Sequence, residues 1–178
     1  GTFGYFRIIG IVGAACILAG CAQTYAKREV NYKSVTVERA AIEIPDDQLL
    51  DIRIKSFDPG DIPEGEDEGR GISKGSRQAE GYYMAVQLRN ILQQSGFWGA
   101  VRVVPTSEAG TELLVEGSII ESDGESVKLE VTVSDSRGVQ WLTKEYEGVV
   151  DTSIYKEIEQ KRTEPFLFVY TDIANDIA

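Results

Sequence analysis

The chain contains no histidine. That excludes Ser-His-Asp and Cys-His nucleophile pairs, and any zinc or iron site held by imidazole. Cysteine is almost as scarce: 2 residues, Cys16 and Cys21, both near the start. No disulfide framework can therefore staple a domain built from the rest, which must fold on its apolar core alone. Cations are the minority charge, with 18 Lys and Arg against 29 Asp and Glu and a net charge of −11. Such a surface repels nucleic acid and anionic lipid, so neither is an expected partner. No uncharged apolar run reaches the ~18–20 residues that a membrane-spanning helix needs.

What is present near the N-terminus is a short signal-like pattern. Arg7 precedes an uncharged stretch from Ile8 to Ala19, roughly 12 residues, within the ~7–15 expected of a signal-peptide apolar region. It closes on Ile17-Leu18-Ala19-Gly20-Cys21. This run resembles the lipobox of bacterial lipoproteins, where small residues precede an invariant cysteine. The resemblance implies cleavage between Gly20 and Cys21, with Cys21 lipidated through its sulfur as the first mature residue. Cys16 would leave with residues 1–20. Ala22 in the following position does not act as the inner-membrane retention signal that Asp can provide there, which implies sorting to the outer membrane with a periplasmic domain.

Residues 21–48 read as a tether and a lead-in strand. Lys27, Arg28 and Lys33 cluster near the anchor, either on lipid headgroups or in a solvated linker. Val35, Val37, Ile42 and Ile44 suggest extended structure closed by Pro45-Asp46-Asp47.

Leu50 to Phe57 alternates apolar and charged residues, the period of a strand. Asp58 to Gly71 carries Pro59, Pro63, several glycines and a run of acids, and reads as a long loop. Gly81, Met84, Ala85, Leu88, Ile91 and Leu92 follow helical spacing and predict a helix over 77–95, capped by Ser76 and stopped by Gly96 in a left-handed conformation. Ala100 to Val104 is a short strand. Glu112 to Ser122, Val127 to Val133 and Val139 to Glu147 form a meander, with turns at Asp123-Gly124 and Asp135–Gly138 and a bulge at Gly117. Ser153 to Lys161, then Phe166, Val169, Tyr170, Ile173 and Ile177, predict two C-terminal helices. The abrupt stop at Ala178 suggests that the natural protein continues.

The fold expected is α+β: a mixed sheet with a three-stranded antiparallel meander packed on one main helix, plus C-terminal helices. Residues 49–148 would form the domain and 149–178 a helical segment after it. The residues 51–57, the helix end at Leu88–Leu92 with Ser95-Gly96-Phe97, and Leu113–Ile120 carry a resemblance. Over about residues 49–148 the chain resembles curli-secretion lipoproteins of the CsgG type, the TolB amino-terminal domain and related outer-membrane lipoproteins. The acidic insert after Phe57 is longer than in that pattern. The anchor, the acidic domain and the lack of a catalytic constellation predict an accessory or scaffold protein of the envelope that works by protein contact; the resemblance implies a homo-oligomeric secretion or assembly subunit as the alternative.

Candidate sites are few. Asp58, Asp61, Glu64, Glu66, Asp67 and Glu68 could offer oxygen ligands to Ca²⁺, but the spacing does not match an EF-hand loop. A solvated mobile loop is the better reading; if the loop has a job, docking a basic partner stands level with metal. Paired carboxylates could serve glycan hydrolysis if two stood ~5–10 Å apart across a cleft, but no acid sits in an apolar setting. Tyr82, Tyr83, Phe97, Trp98, Trp141 and Tyr146 read either as core or as a groove between helix and sheet. Tyr82 and Tyr83 lie ~100° apart on a helix and cannot both face the core. Arg77 and Arg89 read as solubility charges. The partner surface expected is therefore Tyr82, Tyr83, Trp98, Asp61, Glu64 and Asp67, with no catalytic residue, metal or cofactor.

Overall fold

Alternation of Ile52 and Ile54 with Arg53 and Lys55 produces a four-residue strand, β1 (Ile52–Lys55), whose two isoleucines are fully buried. The structure, a computed structural model, describes residues 28–61, 73–105, 112–161 and 163–178. The segment predicted to be helical is α1 (Lys74–Ser95), and its six stripe residues are buried. It starts three residues earlier than its periodicity suggests. Ser73 is the N-cap, not Ser76: the Ser73 hydroxyl accepts from Ser76 N at 3.1 Å, and the Ser76 hydroxyl accepts from Ser73 N at 2.7 Å. This is a capping box with serine in the returning position, and it satisfies two otherwise free donors. Gly96 ends the helix at φ 77°, as expected.

The remaining elements are β2 (Val101–Val104), β3 (Leu113–Ser122), β4 (Ser126–Asp135), β5 (Gln140–Val149), α2 (Thr152–Lys161) and α3 (Leu167–Ile177). The sheet order is β2-β1-β3-β4-β5. β1 runs parallel to both β2 and β3, and β3, β4 and β5 form the antiparallel meander. The fold is thus α+β with a mixed five-stranded sheet. The parallel β1–β2 pair needs a long crossover, and α1 lies within it.

One sheet face is apolar. Leu113, Val115, Ile119, Val127, Leu129, Val131 and Val133 bury there against α1 and α3. Full burial of one such side chain stabilises by ~1.5–3 kcal/mol. The sheet packs on two helices rather than on one main helix: Phe168, Val169, Tyr170, Ile173 and Ile177 of α3 join the same core. The segment 149–178 is therefore part of the domain's core. The opposite face stays open and polar, with Lys55–Glu116 and Lys128–Glu145 ion pairs at 2.7 Å each.

Gly117 does not mark a bulge. It stays in register opposite Val131, and the pairing shifts between Ile119 and Glu121. Gly117 is glycine for a steric reason: a Cβ there would sit 2.6 Å from ring carbons of Phe57. On the other side, Phe57 N donates to Gly81 O at 3.1 Å, and a Cβ at Gly81 would strike the Phe57 carbonyl. Phe57 is thus wedged between two glycines, one on the helix and one on the sheet.

The expected lead-in strand does not form, and residues 28–40 are not a solvated linker. They run as a strap along the domain. Arg28 pairs with Glu121 and Asp123, Asn31 bonds the end of β5, and Lys33 meets Asp172 at 2.6 Å. The lead-in residues gain side-chain partners on α3 and β5 instead of a ladder. A 3-10 turn at Asp46–Gln48 leads into β1.

Candidate functional site

β1 ends at Lys55, but β3 continues beyond it, and only Asp58 follows with a single bridge to Ser118. Asp58 N donates to Gly117 O at 2.8 Å and Ile119 N donates to Asp58 O at 2.9 Å. The space left beyond the carboxyl ends of β1 and β2 is a cleft of about 800 Å³. Its walls are Lys55 to Pro59, Val103, Pro105, Glu116 to Ser118, and Gln78 and Tyr82 from α1. Crevices at the carboxyl ends of parallel strands are common ligand positions in open sheets.

The cleft mixes a paired charge with flat apolar surface. Lys55 Nζ lies 2.7 Å from Glu116 Oε1, so the one cation among the described wall residues and one of the acids neutralise each other. Tyr82 is 57% exposed and presents a ring beside Pro59 and Pro105. Among the described residues, no group of three or more His, Cys, Asp or Glu is placed to hold a metal ion. No described helix is long and apolar enough to cross a membrane. Chemically, the arrangement offers an aromatic wall, proline edges, Ser56 and Ser118, and backbone groups.

The structure separates the aromatic residues that the sequence put together. Tyr82 lines the cleft. Tyr83 turns away and donates to Glu164 Oε2 at 2.5 Å; burial, then the Glu164 carboxylate, pushes its hydroxyl up to about 12. Trp98 is only 9% exposed and lies beyond the far end of α1, more than ~20 Å along the helix from Tyr82 at 1.5 Å per residue. It is a core residue, not part of a shared surface, and it lies beside residues 40–49 after the helix stop at Gly96. There it borders a second pocket of about 340 Å³ with Ile42, Ile44 and Leu49. Its Nε1 has no acceptor among the described residues. Asp61 is exposed. Glu64, Asp67, Gly20 and Cys21 lie outside the described residues.

Three features escaped the sequence reading. Trp141 is 52% exposed. Its phase was visible: it alternates in step with Thr143 and Glu145 on the polar face of β5, and only its hydrophobicity argued for the core. Arg77 is not a free solubility charge. Its side chain is mostly buried and lies 3.7 Å from Glu80, which in turn accepts from the Ser122 hydroxyl. Asp176 of α3 binds Lys144 Nζ at 2.6 Å and accepts from the Tyr146 hydroxyl at 2.7 Å. Burial pushes the Asp176 carboxyl upward, but these two bonds outweigh it and the net shift is downward. Burial and that same carboxylate raise Tyr146. This trio latches β5 to α3 and has no local sequence signature, because Asp176 stands 30 or more residues from both of its partners.

No family model matches the chain, and no curated protein matches it. Among solved structures the chain is similar to a dodecamer of a PelC point variant from Paraburkholderia phytofirmans, at 13% identity and a TM-score of 0.42, over 80% of this chain and 86% of that one. At that TM-score the likeness carries no argument about what this chain does.

Proposed function

We propose that the protein is a non-enzymatic lipoprotein of the bacterial envelope, anchored through Cys21, whose domain faces the periplasm from the outer membrane and works by protein–protein contact. The observation that carries this reading is the Ile17-Leu18-Ala19-Gly20-Cys21 run at the end of an uncharged stretch. The CsgG-type resemblance supports the same compartment. The cleft beside Tyr82 supports contact rather than catalysis, since its Lys55 and Glu116 are spent on each other.

The test has two arms. Cys21→Ser should move the protein from the membrane fraction to the soluble fraction and remove the acyl mass from its N-terminus. A photoreactive residue in place of Tyr82 should crosslink a stoichiometric envelope protein in cells. Unchanged membrane association of the Cys21→Ser chain refutes the anchor, and a clean absence of crosslinks refutes the contact.

A second reading, assembly of several identical copies, is favoured by one feature. β5 is a ten-residue edge strand, and among the described residues only its Glu147–Val149 end is covered, by Asn31. An open edge is a template for another strand. Native mass of the acylated protein in detergent separates one copy from many. The carboxylate hydrolase has no observation in its favour.

A further inference from the structure

We infer that the strap at residues 28–40 fixes which end of the domain faces the bilayer: the β3–β4 hairpin end lies against the lipid, and the β4–β5 turn points away from it. The inference rests on the anchor at Cys21 and adds an orientation to it.

The strap begins at the hairpin. Arg28 Nη1 donates to Asp123 Oδ2 at 2.9 Å and also reaches Ser126 and Glu121. Its bond to Asp123, with the two acids' charge, raises the pKa of the guanidinium. The chain then passes the end of β5, where Asn31 Nδ2 donates to Glu147 O at 2.9 Å and Asn31 Oδ1 accepts from Val149 N at 2.7 Å. It continues beside α3. Tyr32 stacks edge-on against Phe168 at 5.4 Å between ring centres, Lys33 pairs with Asp172, and Asn175 bonds both Thr36 O and Glu38 N at 2.9 Å. It finishes at the C-terminus of α1, where Ala40 N donates to Ser95 O at 2.9 Å. A segment with bonds at this many points moves with the domain.

The stretch of sequence from the anchor to the start of the strap is therefore short. From Cys21 to Arg28 there are seven peptide steps, about 25 Å at full extension. The ten residues of β4 span about 33 Å from the hairpin to the opposite turn. The sheet is taller than the tether is long. With the strap in place, the domain cannot stand inverted on the Asp135–Val139 turn, because Arg28 would then lie about 33 Å above the lipid, beyond the reach of the tether.

That decides the role of four exposed apolar residues. Ile42, Leu50, Val139 and Trp141 would ordinarily be candidates for a membrane-contacting belt. All lie at the other end of the domain from the hairpin. Leu50 O accepts from Gly99 N, Asp51 N donates to Glu112 Oε2, and Ser136 N donates to Glu112 O, which ties β1's start to the β4–β5 turn. These apolar residues face away from the bilayer. The lipid-facing end is mainly polar, built from Asp123, Gly124, Glu125 and the adjoining α2, whose Tyr155 hydroxyl donates to Gly124 O, with Ile120 an exposed apolar residue close to the hairpin. It needs no insertion, because the acyl chains supply the membrane affinity.

The test uses the acylated mature chain on vesicles of zwitterionic lipid that carry a headgroup energy acceptor. A donor dye is attached at Glu125→Cys in one preparation and Ser136→Cys in another; acylation leaves no other free thiol in the mature chain. Transfer from position 125 should exceed transfer from position 136 by at least about twofold, because the two sites differ by the ~33 Å height of the sheet. The double substitution Arg28→Ala with Asn31→Ala should reduce that ratio toward one. An acylated, vesicle-bound protein with equal transfer from both sites overturns the orientation alone. A chain that carries no acyl mass and does not bind vesicles overturns the anchor and the orientation together.

Discussion

One added methyl group at Gly117 tests the packing that shapes the cleft. In Gly117→Ala the new Cβ would lie 2.6–2.7 Å from three Phe57 ring carbons. Carbon atoms pack at ~3.5–4.0 Å, so the overlap is about 1 Å with each. The ring cannot drift aside. It is 1% exposed, and the Phe57 backbone is pinned to Gly81 O on one side and its neighbour Asp58 to Gly117 O on the other. Overpacking of this kind costs ~1–3 kcal/mol, and a trapped ring puts the value near 3. Alanine also restricts the unfolded chain, which offsets ~0.5–1 kcal/mol. The net loss is about 2 kcal/mol. With a urea m-value of ~2 kcal/mol/M, the unfolding midpoint falls by about 1 M. Urea titration of the Cys21→Ser mature chain, followed by tryptophan fluorescence, reads that shift. Phe57→Leu in the same background should relieve the clash, so the two substitutions should couple by ~1 kcal/mol or more. A loss below ~0.5 kcal/mol, or strict additivity, would refute the wedge.

Asn31→Ala removes both side-chain bonds to the end of β5 and leaves the buried Val149 N–H without its acceptor; at ~0.5–1.5 kcal/mol per bond the domain should lose about 1–3 kcal/mol, with faster amide exchange at Val149 as the local readout. Asp135 accepts from the Arg137 side chain and from the N–H groups of Arg137 and Val139, which holds its carboxyl at about 2 against an ordinary 3.8. A depressed carboxylate pKa adds stability that is full above about pH 4 and vanishes as pH falls through about 2, so Asp135→Asn should flatten that part of the stability–pH curve. Tyr83, raised to about 12 by burial and Glu164, behaves in the opposite sense: its contribution is full below pH 10 and lost as pH climbs toward 12, and Tyr83→Phe should delete one late step from the ultraviolet tyrosinate titration. Trp141→Thr, on the open polar face, should change monomer stability by no more than ~0.5 kcal/mol; a large loss would show that the residue is covered.

Much of the architecture is written locally. Helix α1 needs only its apolar stripe, a serine pair and Gly96, all within a few turns of one another. The meander needs alternation and two turns, and the C-terminal helices need their period. These signals are short-range, so one sequence suffices to read them. Periodicity places the helix start three residues late because Ser73 and Ser76 are both competent caps, and only their reciprocal bonds decide which one begins the helix.

The candidate site is less legible. Tyr82, Tyr83 and Trp98 are close in sequence, yet one lines a cleft, one is bonded to Glu164, and one is buried at the far end of the helix. The cleft exists because β3 outruns β1, a fact about strand pairing that neither strand records.

Residue type and short spacing are enough to yield the lipobox-like run at Cys21, the lack of histidine chemistry, the α+β class and the periodic elements, since each is legible within a few turns of chain. Folding in three dimensions is what makes residues 28–40 a strap, lets α3 complete the core, sets Gly117 against Phe57 and places Tyr82 in the cleft. Those outcomes depend on pairs of groups tens of residues apart, whose meeting is set by the packing of the whole chain and not by any local preference.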